Sequence, residues 1–299
     1  MRAVVVGIDS SIGKALGDAL TARGDRVFGT TRRRERVADT VIYLDLNEPG
    51  SAHRVFLPEA DVAFFCAGVT SFAACRLRPE VAHRVNVTSP ATLAARLVER
   101  GTRVVLLSTS AVLDCRVPRM AADRPRKAAS IYGRTKADAE EAILALGPLA
   151  AVLRLTKVLT PGMKRFSEWI GKLTRGQSIH VFDDLRFCPI ALEHVVRASL
   201  AIADHRQEGI LQVSGAEDIS YAAAARHIAR RLGVSSSLLI VSSAADQGIP
   251  AEEVTPYTSL DTARLTAICG FVPPEPVAVL DLIIGPMVTT VGQFTAHGC

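Results

Sequence analysis

Short apolar runs of strand length alternate with helix-length segments through the first half of the chain, and this alternation narrows the fold more than any other feature. Strands are expected at Ala3–Val6, Arg26–Gly29, Thr40–Leu44, Val62–Cys66, Arg103–Leu107 and Ala151–Leu155, with helices notably at Ile12–Arg23, Pro79–Arg100 and Ile131–Leu146. A strand that is apolar throughout, rather than at every second residue, is covered on both faces, and the intervening helices supply the cover. The expectation is an α/β fold built on a doubly wound parallel sheet of Rossmann type. Ligands of such sheets sit beyond the carboxyl ends of the strands. This places a site before any motif is considered.

The rhythm changes after Thr160, where Pro161-Gly162 breaks the chain. Helices are expected at Arg165–Leu173, Leu192–Ala203 and Ser220–Leu232, and strands at Ile179–Phe182 and Ile210–Val213. Residues 1–160 are therefore read as the sheet domain and 161–299 as mainly a smaller C-terminal substrate lobe, with the chain returning to the sheet within 189–214. The apolar tail from Val277 to Thr295 is interrupted by Asp281, Gly285 and Pro286. It reads as a lobe cap or as the contact of a homodimer, not as a membrane span.

Composition removes several classes of partner. Aromatic residues are 5% of the chain with one Trp, too few to stack single-stranded bases, so no nucleic acid is expected. The formal charge of +5 suits a polyanionic ligand, and a solvated basic surface explains it equally well. Six cysteines (Cys66, Cys75, Cys115, Cys188, Cys269 and Cys299) are scattered without a C-x-x-C pair or a His at ligand spacing. No metal is expected, and the compartment reads as reducing and cytoplasmic. Met1-Arg2 leads straight into Ala3-Val4-Val5-Val6-Gly7, too short a run for a signal-peptide core.

The first strand runs into Gly7-Ile8-Asp9-Ser10-Ser11-Ile12-Gly13 and then a helix. A pyrophosphate needs a tight turn, approachable backbone N–H groups and the positive end of a helix. Gly7 and Gly13 supply the turn and the close packing, Ser11 and Ile12 open the helix, and Ser10 stands where a middle glycine is often found. An ordinary strand–helix turn is the competing reading. The second strand ends in Thr31-Arg32-Arg33-Arg34, with no acidic residue. NAD sites put a carboxylate there for the ribose 2′-hydroxyl, whereas NADP sites put an Arg against the 2′-phosphate. Arg32 and Arg33 therefore point to NADP, with NAD as the alternate cofactor and a solvated turn as the plain alternative. Asp45 and Leu46 follow the third strand, where a carboxylate can accept the adenine amino group. Cys66-Ala67-Gly68 ends the fourth, where small residues let the backbone pass close to a cofactor.

The fifth strand runs into Ser108-Thr109-Ser110, and a later helix carries Tyr132-Gly133-Arg134-Thr135-Lys136. The i, i+4 spacing sets Tyr132 and Lys136 on one helix face, where both meet the same ligand. A phenol titrates near ~10 in water. Acid–base work near neutrality asks for less, and an adjacent ammonium would lower it.

On these residues the chain resembles the extended short-chain dehydrogenase/reductases over nearly its whole length, and within them it looks most like the dTDP-4-dehydrorhamnose reductase / NAD-dependent epimerase branch of sugar-nucleotide enzymes. The resemblance rests on Gly7-x-x-Ser10-x-x-Gly13, Ala67-Gly68-Val69-Thr70, Cys75 to Asn86, Ser108 to Val112, Tyr132-x-x-x-Lys136, Pro189-Ile190 and Ser259 to Thr262. It implies Thr109, Tyr132 and Lys136 as the catalytic group. It also gives Lys136 the nicotinamide ribose, and Asn86 a mainly structural place beside the cofactor. A small-molecule substrate of nucleotide-sugar type follows from it, with Thr70, Ser110, Lys157 and Arg186 as candidate substrate contacts. A keto-reductase is the leading reading, with a nucleotide-sugar epimerase and a non-catalytic NADP-binding regulatory subunit as alternatives. Ser110 and Ala111 stand where related 4,6-dehydratases carry an acidic pair, so elimination of water is not expected.

If the arginines read the phosphate, the protein binds NADP(H) more tightly than NAD(H), and replacing Arg32 and Arg33 together erodes that preference. Equal affinity of the unaltered protein for both dinucleotides would leave them a solvated turn.

Overall fold

The apolar runs become strands because both of their faces are covered. The computed structural model describes residues 1–296, so Cys299 lies outside it. The first half runs β1 (Arg2–Val6), α1 (Ser11–Ala22), β2 (Arg26–Thr31), β3 (Val41–Tyr43), α2 (Ser51–Arg54), β4 (Val62–Phe65), α3 (Phe72–Leu77), α4 (Pro79–His83), α5 (Ser89–Val98), β5 (Arg103–Thr109), α6 (Ile131–Leu144) and β6 (Ala150–Leu155). Beyond it come β7 (Lys157–Leu159), α7 (Lys164–Thr174), β8 (Ile179–Phe182), β9 (Arg186–Phe187), β10 (Pro189–Ala191), α8 (Leu192–Asp204) and β11 (Gly209–Val213). The chain closes with β12 (Ile219–Ser220), α9 (Tyr221–Leu232), β13 (Leu239–Ser242), α10 (Ala263–Cys269) and α11 (Pro276–Ala296).

Among the described residues the central sheet has seven strands, all parallel, in the order β11-β6-β5-β4-β1-β2-β3. The chain starts in mid-sheet, lays β2 and β3 to one side, then crosses to β4 on the other. The switch point between β1 and β4 opens a crevice at the carboxyl ends, the place where ligands of doubly wound sheets bind. Two apolar cores flank the sheet. One includes Val5, Leu16, Phe64, Val105 and Leu153, and the other Val4, Val6, Ala63, Leu93, Val104 and Val152. β11 lies at the edge of the sheet, pairing β6 from Gly209↔Ala151 to Val213↔Leu155. Leu265 and Phe271 also pack into the first core, so the late chain contributes to the sheet layer as well as to the lobe.

A third core lies apart from the sheet and gathers Phe166, Trp169, Ile170, Phe187, Tyr221, Ile228, Leu280 and Ile284. Three two-stranded pairings frame it: β7 with β10, β8 with β13, and β9 with β12. The tail expected to cap the lobe does so through Val279, Leu280, Ile283 and Ile284 of α11. Among the described residues no helix is long and apolar enough to cross a membrane.

The helix expected from Pro79 to Arg100 is not uniform. Between α4 and α5, Arg84–Thr88 forms a π turn. Pro90 has no N–H to donate back to the Asn86 carbonyl, and a wider turn accommodates that loss. Asn86 is thereby carried inward and buried.

Close approach fixes two glycines at the first turn. Gly7 has φ +88°, and a Cβ there would stand 2.6 Å from Ala67 Cβ; at Gly13 it would stand 2.2 Å from the Gly7 carbonyl oxygen. Gly13→Ala should therefore destabilise the protein by about 1–3 kcal/mol in urea unfolding, as overpacking does. A change within about 0.5 kcal/mol, the range of an ordinary surface substitution, would show that α1 shifts freely.

Candidate active site

At the carboxyl end of β1 the backbone turns through Gly7 and enters α1 at its N-cap, Ser10. Ser10 Oγ accepts the Gly13 N–H at 2.9 Å and donates to the Gly7 carbonyl at 2.9 Å. The hydroxyl thus closes the turn from within, and no middle glycine is needed. Ser11 is exposed and Ile12 half-buried at the first turn of α1, which presents its positive end to the crevice. Across the switch point the N–H groups of Cys66 and Ala67 both bond the Val6 carbonyl at 2.9 Å, which draws the end of β4 against the turn. Gly68 faces Asn86, whose Oδ1 would lie 3.0 Å from an added Cβ. Asn86 accepts the Val69 N–H at 2.8 Å and donates to the Val69 carbonyl at 3.0 Å and to Thr135 Oγ1 at 3.3 Å. One side chain therefore ties the strand end to α6.

The other positions expected to meet a cofactor lie along the same edge. Arg32 and Arg33 are exposed past the end of β2. Asp45 is half-buried with Oδ1 accepting the Asn47 N–H at 2.8 Å, and Leu46 is buried. The tight strand-end turn fits a pyrophosphate, since two Cβ-sized spaces are closed and a helix N-terminus faces outward.

β5 runs two residues beyond its expected end and delivers Thr109 at its tip. α6 starts at its N-cap Ser130, whose Oγ accepts the Gly133 N–H at 3.1 Å. Gly133 lets this helix seat on the strand end, for a Cβ there would stand 2.2 Å from the Ala111 carbonyl oxygen. Tyr132 is then set edge-on to Phe72 at 5.2 Å between ring centroids, with the Thr109 hydroxyl favouring the ionised form of its phenol. Lys136 is buried one turn along, its Nζ donating to the Leu107 carbonyl at 2.7 Å.

Thr109, Tyr132 and Lys136 are thus held at the carboxyl end of β5, but the electrostatics differ from the sequence expectation. Burial pushes the Tyr132 phenol up to about 12, and the Thr109 hydroxyl only partly offsets it. The Lys136 ammonium, turned to Leu107, does not bring the phenol down. Burial lowers Lys136 itself to about 8, with the Glu140 carboxylate pulling it back up. The site thus holds a neutral phenol, a proton donor, across neutral pH.

The sequence reading missed what lies under Lys136. Glu140, a further turn along α6, is fully buried and pairs with the equally buried Arg154 of β6 at 2.8 Å. Arg154 Nε also donates to Glu140 Oε1 at 3.0 Å, Ser108 Oγ donates to the same oxygen at 2.6 Å, and Arg154 Nη1 donates to the Ala122 carbonyl at 2.9 Å. A signal was present: an arginine in the otherwise apolar Ala150–Leu155, and a Glu at i+4 from the lysine.

Among the candidate substrate contacts Ser110 is buried, whereas Thr70, Lys157 and Arg186 are exposed. Lys157 opens β7, two residues beyond the end of β6 that pairs with Thr109, so it lies at the same end of the sheet. Arg186 belongs to β9 in the lobe. A cavity of about 650 Å³ beside α6, lined by Arg124, Arg126, Lys127, Arg134 and Glu141 among others, includes none of Thr109, Tyr132 and Lys136. A dinucleotide crevice is an open cleft, and this cavity is a separate feature.

A switch-point crevice, a glycine turn at a helix N-terminus and the Thr109/Tyr132/Lys136 group define an extended short-chain dehydrogenase/reductase. More narrowly, the chain belongs to the RmlD substrate-binding-domain family, whose profile matches residues 1–286. A dTDP-4-dehydrorhamnose reductase of Mycobacterium tuberculosis (strain CDC 1551 / Oshkosh) is 30% identical over 269 residues, covering 87% of this chain and 86% of that protein. The fold is shared with a dTDP-4-dehydrorhamnose reductase of Bacillus anthracis solved with NADP (TM-score 0.82, 16% identity, 95% of this chain and 99% of that one). It is shared equally with a UDP-glucose 4-epimerase of Thermotoga maritima solved with UDP-glucose (TM-score 0.82, 16% identity, 97% and 100%).

The lysine gives a pH dependence. Its proton is held at pH 7 and lost as the pH rises through about 8. Dinucleotide affinity, measured by calorimetry on the free protein, should weaken between pH 7 and 9.5, and Lys136→Met should bind more weakly without that limb. A flat profile for the unaltered protein would remove Lys136 from the cofactor site.

Proposed function

We propose that this protein is an NADP(H)-dependent reductase of a keto group on a nucleotide sugar, with NAD(H) as the weaker cofactor. Residues 1–160 hold the dinucleotide and 161–299 form mainly the substrate lobe. The observation that carries the reading is the Thr109–Tyr132 hydroxyl pair at the tip of β5, with Lys136 one turn along and the glycine turn across the crevice. The relatives' names support the substrate class, and the NADP-bound Bacillus anthracis structure supports the cofactor.

The cofactor, when bound, supplies a hydride to the carbonyl carbon. The remainder is done by the chain. Thr109 Oγ1 holds the substrate oxygen, Tyr132 Oη gives it a proton, and Lys136 holds the nicotinamide ribose. A phenol that burial keeps protonated suits the reductive direction, in which the tyrosine must donate. Ser110 and Ala111 offer no acid–base pair for elimination, and Asp114 is engaged by Arg124 at 3.4 Å.

The proposal extends to a cytoplasmic setting, which suits the free thiols of Cys66, Cys75, Cys115, Cys188 and Cys269. A homodimer would use the exposed Val277 and Leu282 on the outer side of α11.

NADPH consumption is measured against 4-keto nucleotide sugars, dTDP-4-dehydrorhamnose among them. Stoichiometric oxidation is expected. Turnover of a nucleotide sugar with only catalytic cofactor would indicate an epimerase, and tight binding without turnover a regulatory subunit. A 4-keto-6-deoxy product from glucose- or mannose-type nucleotide sugars would move the protein to the dehydratases. Tyr132→Phe should reduce kcat by about 10²–10⁴-fold while leaving the Kd for NADPH within about twofold, because only the transferable proton is lost. Near-normal turnover in that variant would overturn the assignment of the proton donor.

A further inference from the structure

The end of β2 carries no acid in the sequence, yet in the folded protein a carboxylate stands there. Asp9, in the turn between Gly7 and Ser10, accepts a hydrogen bond from the Thr31 hydroxyl, the last residue of β2. Thr31 Oγ1 also accepts the Arg33 N–H at 3.0 Å, which fixes the start of the basic turn beside that carboxylate. The other oxygen, Asp9 Oδ1, is buried with no well-formed hydrogen bond, and the Arg36 guanidinium approaches it at 2.5 Å. Arg34 does not compete for this position, because its guanidinium lies over the Tyr43 ring at 4.1 Å.

In a Rossmann crevice the adenosine ribose lies between the glycine turn and the end of the second strand, and the group at that strand end discriminates a 2′-hydroxyl from a 2′-phosphate. Here two groups of opposite charge share the place. A carboxylate accepts from a hydroxyl and repels a phosphate, whereas a guanidinium binds a phosphate through charge-assisted hydrogen bonds. While they are paired, each masks the other. A 2′-phosphate must separate Arg36 from Asp9 and then lie beside the carboxylate, whereas a 2′-hydroxyl can donate to Asp9 with the pair intact.

We propose that Asp9 is a specificity-determining residue that weakens binding of 2′-phosphorylated dinucleotides, and that Arg36, more than the exposed Arg32 and Arg33, is the arginine it controls. The inference rests on the dinucleotide site proposed above and makes that site tolerant of both cofactors. The basic turn favours the phosphate, and Asp9 holds the preference down.

The test is binding. Kd values for NADPH and NADH are measured by calorimetry for the unaltered protein, Asp9→Asn, Arg36→Ala and the double variant, with Tm recorded for each. Asparagine keeps the shape and the acceptor for Thr31 but removes the charge. Asp9→Asn should tighten NADPH about fivefold or more and leave NADH unchanged or up to about threefold weaker. Arg36→Ala, which leaves the carboxylate unmasked, should weaken NADPH about tenfold with NADH within about twofold. The double variant should fall between them. An NADPH-to-NADH affinity ratio within twofold of the starting value in both Asp9→Asn and Arg36→Ala overturns the inference while leaving the dinucleotide site standing. Failure of the unaltered protein to bind either dinucleotide overturns both. Should Asp9→Asn lose its Tm, Arg36→Ala alone decides, since a solvated surface arginine would leave the ratio unmoved.

Discussion

The buried pair of Glu140 and Arg154 is the contact on which the arrangement of the site depends. It joins α6 to β6, takes in Ser108 from β5, and through the Ala122 carbonyl holds the loop that leads into that helix. Two charges removed from water are tolerated only where geometry and further hydrogen bonds offset their desolvation, and here the carboxylate takes two guanidinium nitrogens and a hydroxyl. Losing either partner alone would strand a buried charge, at a cost of about 3–5 kcal/mol. The pair therefore acts as a rigid pin: α6 cannot rotate or slide on the sheet without breaking it, and Tyr132 and Lys136 ride on the same face of that helix. It also supplies the negative charge that limits how far burial lowers Lys136.

Much of this was legible in the sequence. Each expected strand of the first half formed, because continuous apolar runs such as Val62–Phe65 have no stable place except between two helical layers. The turn at Gly7 and the Tyr132/Lys136 spacing were readable because backbone proximity and helix periodicity leave local traces. What escaped was nonlocal or compensated. The π turn follows from Pro90, but a proline inside a helical pattern does not announce which way the helix adjusts. Ser10 looked like a missing glycine and is instead the cap that closes the turn. The acid absent from the end of β2 is brought by a residue 22 positions earlier, which a scan along the second strand cannot see.

The sign of the Tyr132 shift shows the same limit from the side of electrostatics. Spacing places an ammonium and a phenol on one face, and from that alone a lowered phenol follows. The fold adds two facts that spacing does not contain: Phe72 covers the ring, and Leu107 takes the ammonium. Burial then outweighs charge. Which effect wins depends on the third dimension, where a carbonyl from the neighbouring strand competes for the same lysine.

The loop between β5 and α6 is finished by residues from the far end of the chain. Arg119 donates its N–H to Ser259 Oγ, 140 positions later, while Met120 and Ser259 to Asp261 pair backbone to backbone, and Gln212 bridges the Met120 and Asp261 carbonyls. During synthesis, Thr109, Tyr132 and Lys136 emerge from the ribosome long before these partners exist. The nascent chain can close its first βαβ units as they appear, but the wall of the crevice must wait until almost all of the protein has been made. A chain cut short before Ser259 therefore carries Thr109, Tyr132 and Lys136 and lacks the clasp that shapes the crevice beside them.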